Sequence, residues 1–351
     1  MKKKVAVVFG GQAKEHDISC LSVVNVVAGF DMDKYELHLI GITLDGNWLS
    51  VDNVEAIKDG SWEQSKTVAI ISPDHSKSGI WKVSDGLIEF QEIDVIFPVL
   101  HGLYGEDGTV QGLFELSGIP YVGCGVLASA ASLDKITTKI FADRIGVRQA
   151  RYVCDISKDC KTIAATVSEV EKNLPYPVFV KPSTAGSSQG VSKATNADEL
   201  VKAIEYAKEF DTRVLIEEGI FGREIECGVL GGDENIIASK VGEIQAAAEF
   251  YDFDAKYNNQ ESKTIVDPAD LSEEVKEKVR ANAIAIFKEV GAYGLSRVDF
   301  FVENGTNEVV FNEINTFPGF TNISMYPMLL EDAGYSRSDL IDKLIELAFC
   351  R

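Results

Sequence analysis

Asp299, Glu313 and Asn315 are the residues of this sequence best suited to hold a hard cation. They fall within residues 299–319, Asp-Phe-Phe-Val-Glu-Asn-Gly-Thr-Asn-Glu-Val-Val-Phe-Asn-Glu-Ile-Asn-Thr-Phe-Pro-Gly. Two apolar runs read as strands, and Asn304-Gly305 supplies a turn between them. Glu313 and Asn315 are two apart and share a face of the strand, while the hairpin brings Asp299 towards them. Carboxylate and amide oxygens suit Mg²⁺ carried on nucleotide phosphates rather than zinc. A solvated acidic hairpin is the competing reading. Arg297 beside Asp299 and the Asn-Thr-Phe-Pro-Gly exit favour a site.

Several other segments could handle an anionic substrate. Gly10-Gly11-Gln12-Ala13-Lys14-Glu15-His16 stands where a strand feeds a helix, and free amides there attract carboxylates and phosphates. His101 follows an apolar strand, at the carboxyl end where open α/β sheets bind ligands. Its glycine-rich continuation, with Glu106 and Asp107, also reads as a plain helix entry. There is no Gly-x-x-x-x-Gly-Lys-Ser/Thr loop, which excludes ATP binding by the P-loop route. Lys139, Lys181 and the loop at residues 186–190, with Ser187 and Ser188, nevertheless suit a triphosphate. A serine-rich surface loop is the alternative. Glu217, Glu218 and Glu224 could hold an adenine amino group and ribose hydroxyls, although paired glutamates are usually just solvated. Gly123-Cys124-Gly125 looks like a relaxed dinucleotide fingerprint but stands after the first α/β unit, so it reads as a decoy.

The elements that must position these groups have an α/β order, α+β in part. Residues 5–9 read as a buried parallel strand and residues 15–27 as the helix after it. Strands follow at 35–42 and 95–100, with a less regular stretch and a polar loop at 72–79 between them. A helical run at 129–145 opens a second unit, continuing through a strand at 151–154, a helix at 163–172 and strands at 177–181 and 214–217. Strands dominate from 222 until a helix at 271–290. The expected domains are residues 1–123, 124–216 and 217–351, packed closely around shared sites.

The chain has 351 residues, 45% apolar and 25% charged, which predicts two or three soluble domains. A net charge of −21 without a basic patch argues against nucleic acid and anionic membranes as partners. The six cysteines are scattered, against structural zinc or a disulfide framework and in keeping with a reducing cytoplasm. The apolar run after Lys2-Lys3-Lys4 is too short for a signal peptide, and no stretch reaches the length of a membrane span.

Taken together, the motifs resemble those of the D-alanine:D-alanine ligases, members of the ATP-grasp superfamily. The resemblance covers nearly the whole chain. Its motifs are Phe-Gly-Gly-x-x-x-Glu-His from Phe9, His-Gly-x-x-Gly-Glu-Asp-Gly-Thr from His101, Leu-Asp-Lys from Leu133, and Val-Lys-Pro with Gly-Ser-Ser-x-Gly at residues 180–190. They continue as Gly-Arg-Glu-Ile-Glu-Cys from Gly222, Phe-Tyr-Asp-Phe-Asp-Ala-Lys-Tyr from Phe250, Arg-Val-Asp-Phe-Phe from Arg297, and Asn-Glu-Ile-Asn-Thr-Phe-Pro-Gly-Phe-Thr through Ser-Met-Tyr-Pro at 327.

The resemblance implies a three-domain ATP-grasp architecture with an N-terminal open parallel α/β domain. It implies a cytoplasmic, homodimeric enzyme of peptidoglycan precursor synthesis, using ATP and two Mg²⁺ ions, with Mn²⁺ able to substitute. Asp299, Glu313 and Asn315 would hold the metals, and Lys139, Lys181 and Lys256 would neutralise phosphate charge. Glu15 would take the ammonium of the first D-alanine, with His101 a further substrate contact. Arg297 and the Gly319 backbone would polarise the carbonyl, and Ser324 and Met325 would bind the second carboxylate. Ser187 and Tyr257, linked to Glu15, would tie a mobile loop at about 243–264 over the site, with Tyr257 deciding the product. Ala13 and Phe253 depart from the serine and tyrosine common in the family. The alternative product is D-alanyl-D-serine or D-alanyl-D-lactate.

Overall fold

The computed structural model describes residues 1–156, 162–245 and 263–351. Three sheets organise it. The first runs β6-β5-β4-β3-β2-β1-β7, with β1 Lys3–Gly10, β2 Tyr35–Ile42, β3 Trp48–Val51, β4 Val68–Ile71, β5 Gly79–Ser84, β6 Leu87–Glu92 and β7 Val95–Leu100. Only β2, β1 and β7 run parallel; from β3 to β6 the sheet continues antiparallel. That antiparallel extension occupies the stretch whose sequence looks irregular.

The apolar runs of β1 and β7 are buried on both faces, as a central parallel strand requires. β1 then turns sharply into the helix His16–Gly29. Gly10 has φ +85°, and a Cβ there would collide with the Ile42 carbonyl, so glycine is needed on both counts.

The second sheet runs β10-β9-β11-β8, with β8 Tyr152–Ile156, β9 Val178–Pro182, β10 Ser192–Ala194 and β11 Arg213–Glu218. Its inner face (Val178, Val180, Val214, Ile216) packs on the helices Ile163–Asn173 and Ala197–Ala207. Strand alternation turns Phe179, Lys181, Leu215 and Glu217 to the other side. The run at 129–145 is two helices, Val126–Leu133 and Lys135–Arg144, divided at Asp134, whose side chain accepts the Thr137 N–H at 2.9 Å.

The third sheet runs β14-β13-β12-β15-β16 and is antiparallel throughout: β12 Gly222–Gly231, β13 Ile237–Gln245, β14 Lys263–Val266, β15 Gly294–Glu303 and β16 Val309–Asn315. The helix Glu273–Glu289 covers one face. On the other side lie the helices Met325–Asp332 and Arg337–Cys350, whose apolar residues share one core with Val5, Val7, Phe9 and Phe97 of the first sheet. The first and third sheets are thereby held together by a common core. The proposed divisions after residues 123 and 216 fall just before the helix Val126–Leu133 and within β11.

Candidate functional site

The sheets converge on a cavity of about 490 Å³, lined among others by Glu15, His101, Glu106, Lys181, Ser187, Ser188, Glu217, Glu218, Glu224, Arg297, Asp299, Glu313, Asn315 and Gly319. That size is typical of a pocket for a small-molecule ligand. Strand ends and faces, the helix ends at Glu15 and Lys135, and the loop at residues 185–188 all reach it.

The hairpin β15–β16 supplies the oxygen donors. Asp299 stands opposite Glu313 and Arg297 opposite Asn315, while Phe300 pairs with Phe311. Asn312 is therefore an extra residue, and this bulge sends Phe311 and Glu313 to opposite faces although they are two apart. Phe311 packs into the core beneath the cavity, which it also helps to line, while Glu313 faces the cavity from the other side of the strand. The connecting loop spans residues 304–307, longer than an Asn-Gly turn: Glu303 N–H donates to Glu308 O at 2.9 Å, and both Gly305 and Asn307 have positive φ.

Asp299 receives Arg297 through both oxygens, at 2.8 and 2.7 Å, and the Asn315 side-chain N–H at 3.0 Å. Arg297 also stands 3.1 Å from Glu226 Oε2, and Lys135 Nζ is 3.7 Å from Glu313 Oε2. Burial opposes the charge of Arg297, but Asp299 and Glu226 outweigh it and hold the guanidinium well above its usual range. Among the described residues no group of three or more His, Cys, Asp and Glu side chains gathers as a metal site. Two carboxylates and an amide are the set present, and such hard oxygens fit Mg²⁺.

On the opposite wall, Glu217 joins two lysines, with Lys139 Nζ at 2.5 Å and Lys181 Nζ at 2.7 Å. Burial pushes Glu217 up, yet the two ammonium groups prevail and hold it at about 2. Lys181 is pushed down by burial and more strongly up by Glu217, Glu313 and Glu224, for a net rise. Lys139 is buried behind the cavity wall and touches the cavity lining through its ion pair with Glu217. Glu218 is bound by Arg151 through its backbone N–H at 2.9 Å and its guanidinium at 2.8 Å.

Glu15 caps no helix end with its side chain; it is buried, lines the cavity, and accepts the Ser187 hydroxyl across 172 residues of chain. Ser187 and Ser188 both have positive φ, 51° and 56°, an uncommon conformation for serine that recurs at ligand-clasping loops. His101 Nδ1 is 3.0 Å from Phe317 O. Glu106, half-buried beside it, accepts Gly102 N–H and Phe317 N–H at 2.9 Å each, and desolvation pushes it up to about 7. Lys135, Glu226 and Glu106 stand inside quoted motifs but carry no local signal, because their partners are remote in sequence.

Ser324 and Met325 begin the helix Met325–Asp332, beyond the cavity lining. Ser324 Oγ is 3.0 Å from Thr321 N and 2.8 Å from Thr321 Oγ1, and it would stand 2.9 Å from a Cβ at Gly319, where glycine permits the approach. Lys256, Tyr257 and Phe253 lie outside the described residues. The ends of the expected mobile loop are strands: Gln245 of β13 pairs with Lys263 of β14. Arg223 fixes that edge, gripping Glu243 at 2.6 and 2.7 Å and Asp270 at 2.9 Å.

Two family models match, one described as the D-ala D-ala ligase N-terminus over residues 4–124 and one as the D-ala D-ala ligase C-terminus over residues 141–346. The chain belongs to the D-alanine–D-alanine ligase family. The D-alanine–D-alanine ligase of Acetivibrio thermocellus is 49% identical over 366 residues, covering 100% of this chain and 96% of that protein. That of Ruminiclostridium cellulolyticum is 51% identical over 363 residues, with the same coverage. Among solved structures, the VanG D-Ala:D-Ser ligase from Enterococcus faecalis superposes with a TM-score of 0.89 at 38% identity, covering 99% of this chain and 100% of that one. The D-alanine-D-alanine ligase from Coxiella burnetii gives 0.87 at 34% identity, covering 100% and 94%. The ATP-grasp fold expected from the motifs is thus the fold of this family member.

Proposed function

We infer that this protein joins two D-alanines into D-alanyl-D-alanine, consuming ATP, for peptidoglycan precursor synthesis. The observation that carries the reading is one cavity in which Glu15, Lys181, Arg297, Asp299, Glu313 and Gly319 face one another, in a chain 49% and 51% identical to proteins named for that activity. In this reading Glu15 holds the ammonium of the first D-alanine, its carboxylate kept in place by Ser187. The first D-alanine's carboxylate attacks the γ-phosphate, ADP leaves, and the amine of the second D-alanine attacks the acyl phosphate. Arg297 and the Gly319 N–H stabilise the developing oxyanion, and phosphate departs.

Asp299, Glu313 and Asn315 would hold two Mg²⁺ ions, with Mn²⁺ an acceptable substitute for these donors, and the ions would neutralise phosphate charge. Lys181, backed by Lys139 through Glu217, adds positive charge at the phosphates, and Ser188 adds a donor. Glu218 and Glu224 serve the adenosine end. His101 contacts substrate, while Ser324 and Met325 serve the second carboxylate. Lys256 and Tyr257 keep the roles that the family resemblance implies.

A D-serine or D-lactate product is the weaker reading, since the VanG neighbour shares 38% identity against 49% and 51% for the relatives named for D-alanine. The homodimer is supported by an outward apolar patch on the antiparallel extension: Val68, Val83 and Ile88 in one row, Ile70, Trp81 and Phe90 in the next. It borders the edge of β6, which pairs with no further strand among the described residues and where a second copy can pair by two-fold symmetry. No helix among the described residues is long and apolar enough to cross a membrane, in keeping with a cytoplasmic place. D-alanine-dependent release of ADP, lost in Glu313→Ala, tests the reading; equal release without D-alanine opposes it.

A further inference from the structure

Phe317 is gripped at both ends of its backbone by one loop of the first sheet. Its N–H donates to Glu106 Oε1 at 2.9 Å, and its carbonyl stands 3.0 Å from His101 Nδ1. The second Glu106 oxygen accepts the Gly102 N–H at 2.9 Å, so one carboxylate ties the two strand-end loops together. Two residues on, past Pro318 with its fixed φ, comes Gly319 on the cavity wall.

We propose that Glu106 is a positioning residue for the ligation step, registering the backbone from Phe317 to Gly319 so that the Gly319 N–H and the Arg297 guanidinium converge on the reacting carbonyl. The inference deepens the ligase reading and rests on it. Glu106 acts here through backbone groups and leaves the nucleotide end of the cavity, around Lys181 and Glu217, untouched.

The chemistry of the grip explains the residue type. Two N–H donors converge on two oxygens, and only an ionised carboxylate is an acceptor at both. Glutamine offers one oxygen and one NH₂, so one of the N–H groups then faces a donor. Aspartate keeps both oxygens but is one methylene shorter and reaches a single loop well. Glu15 from the first loop and Arg297 from β15 are the charged groups facing Glu106, with opposite effects on its ionisation.

Steady-state kinetics of the full chain at pH 8.5, where the carboxyl is ionised, test the proposal with Glu106→Gln and Glu106→Asp. The expected result is a kcat at least tenfold lower for Gln and three- to tenfold lower for Asp, with KM for ATP within twofold of the unsubstituted protein in both. Should the Gln variant fail to fold, the Asp variant decides alone. A kcat within twofold of the unsubstituted protein, or a KM for ATP that rises as steeply as kcat falls, overturns the positioning role. An unsubstituted protein that forms no dipeptide overturns the ligase reading itself, whatever the variants do.

Discussion

Arg297 holds both carboxylate oxygens of Asp299, its neighbour two residues along the same strand, at 2.8 and 2.7 Å. One arginine thus occupies the carboxylate proposed to hold a metal, while also being proposed to polarise the carbonyl. Both roles are compatible if cation binding draws Asp299 away and frees the guanidinium for substrate.

That exchange makes a prediction. Arg297→Gln should lower kcat by about 10²- to 10³-fold, the usual cost of removing an oxyanion donor. The Mg²⁺ concentration for half-maximal residual rate should stay level or fall, because Asp299 is no longer shared. A several-fold rise in that concentration would contradict the exchange.

Glu217 predicts a pH dependence of stability. Its folded value of about 2 lies below the ordinary 4.5, so the unfolded chain takes up the proton first. The stabilisation from its lysine pairs is therefore present above about 4.5 and is lost as pH falls towards about 2. Denaturation midpoints of the unsubstituted protein and Glu217→Gln should differ at pH 5 and converge through that window. A constant difference from pH 5 to 2 would show that Glu217 does not titrate there.

How far the sequence reveals this arrangement depends on where each residue's partners lie. β1 and β7 are legible because burial on both faces makes them continuous apolar runs. β4 is Val-Ala-Ile-Ile, with alternate residues exposed, so its period of two is invisible in a string of apolar letters. The break at Asp134 is hidden because apolar residues continue past the cap. Asp299, Glu313 and Asn315 lie on one hairpin, and local spacing is enough to bring them together. The bulge at Asn312 that aims Glu313 leaves no such trace. Glu106 looks like a helix-entry residue, since its partner at Phe317 lies 211 positions away.

Ser187 and Glu15 make a second test of the substrate site. Ser187→Ala removes one hydroxyl from a carboxylate contact, worth about 1.5 to 3 kcal/mol when intact. The expected outcome is a rise of about tenfold or more in KM for the first D-alanine, with KM for ATP little changed. Initial rates across D-alanine concentration measure it, and an unchanged first-site KM would remove Ser187 from that role.

The apolar patch on β4 to β6 predicts a dimer through that face. Ile88 is 68% exposed, and Ile70 47%. The unsubstituted protein should run as a dimer by light scattering, and replacing both by lysine should give a monomer. A double variant that stays dimeric would place the interface elsewhere.

The most direct measurement is product analysis in a mixture of D-alanine, D-serine and D-lactate at equal concentration, with ATP and Mg²⁺. D-alanyl-D-alanine should be the main product, formed in step with ADP. A mixture dominated by D-alanyl-D-serine or D-alanyl-D-lactate, or ADP formed with no dipeptide, would contradict it.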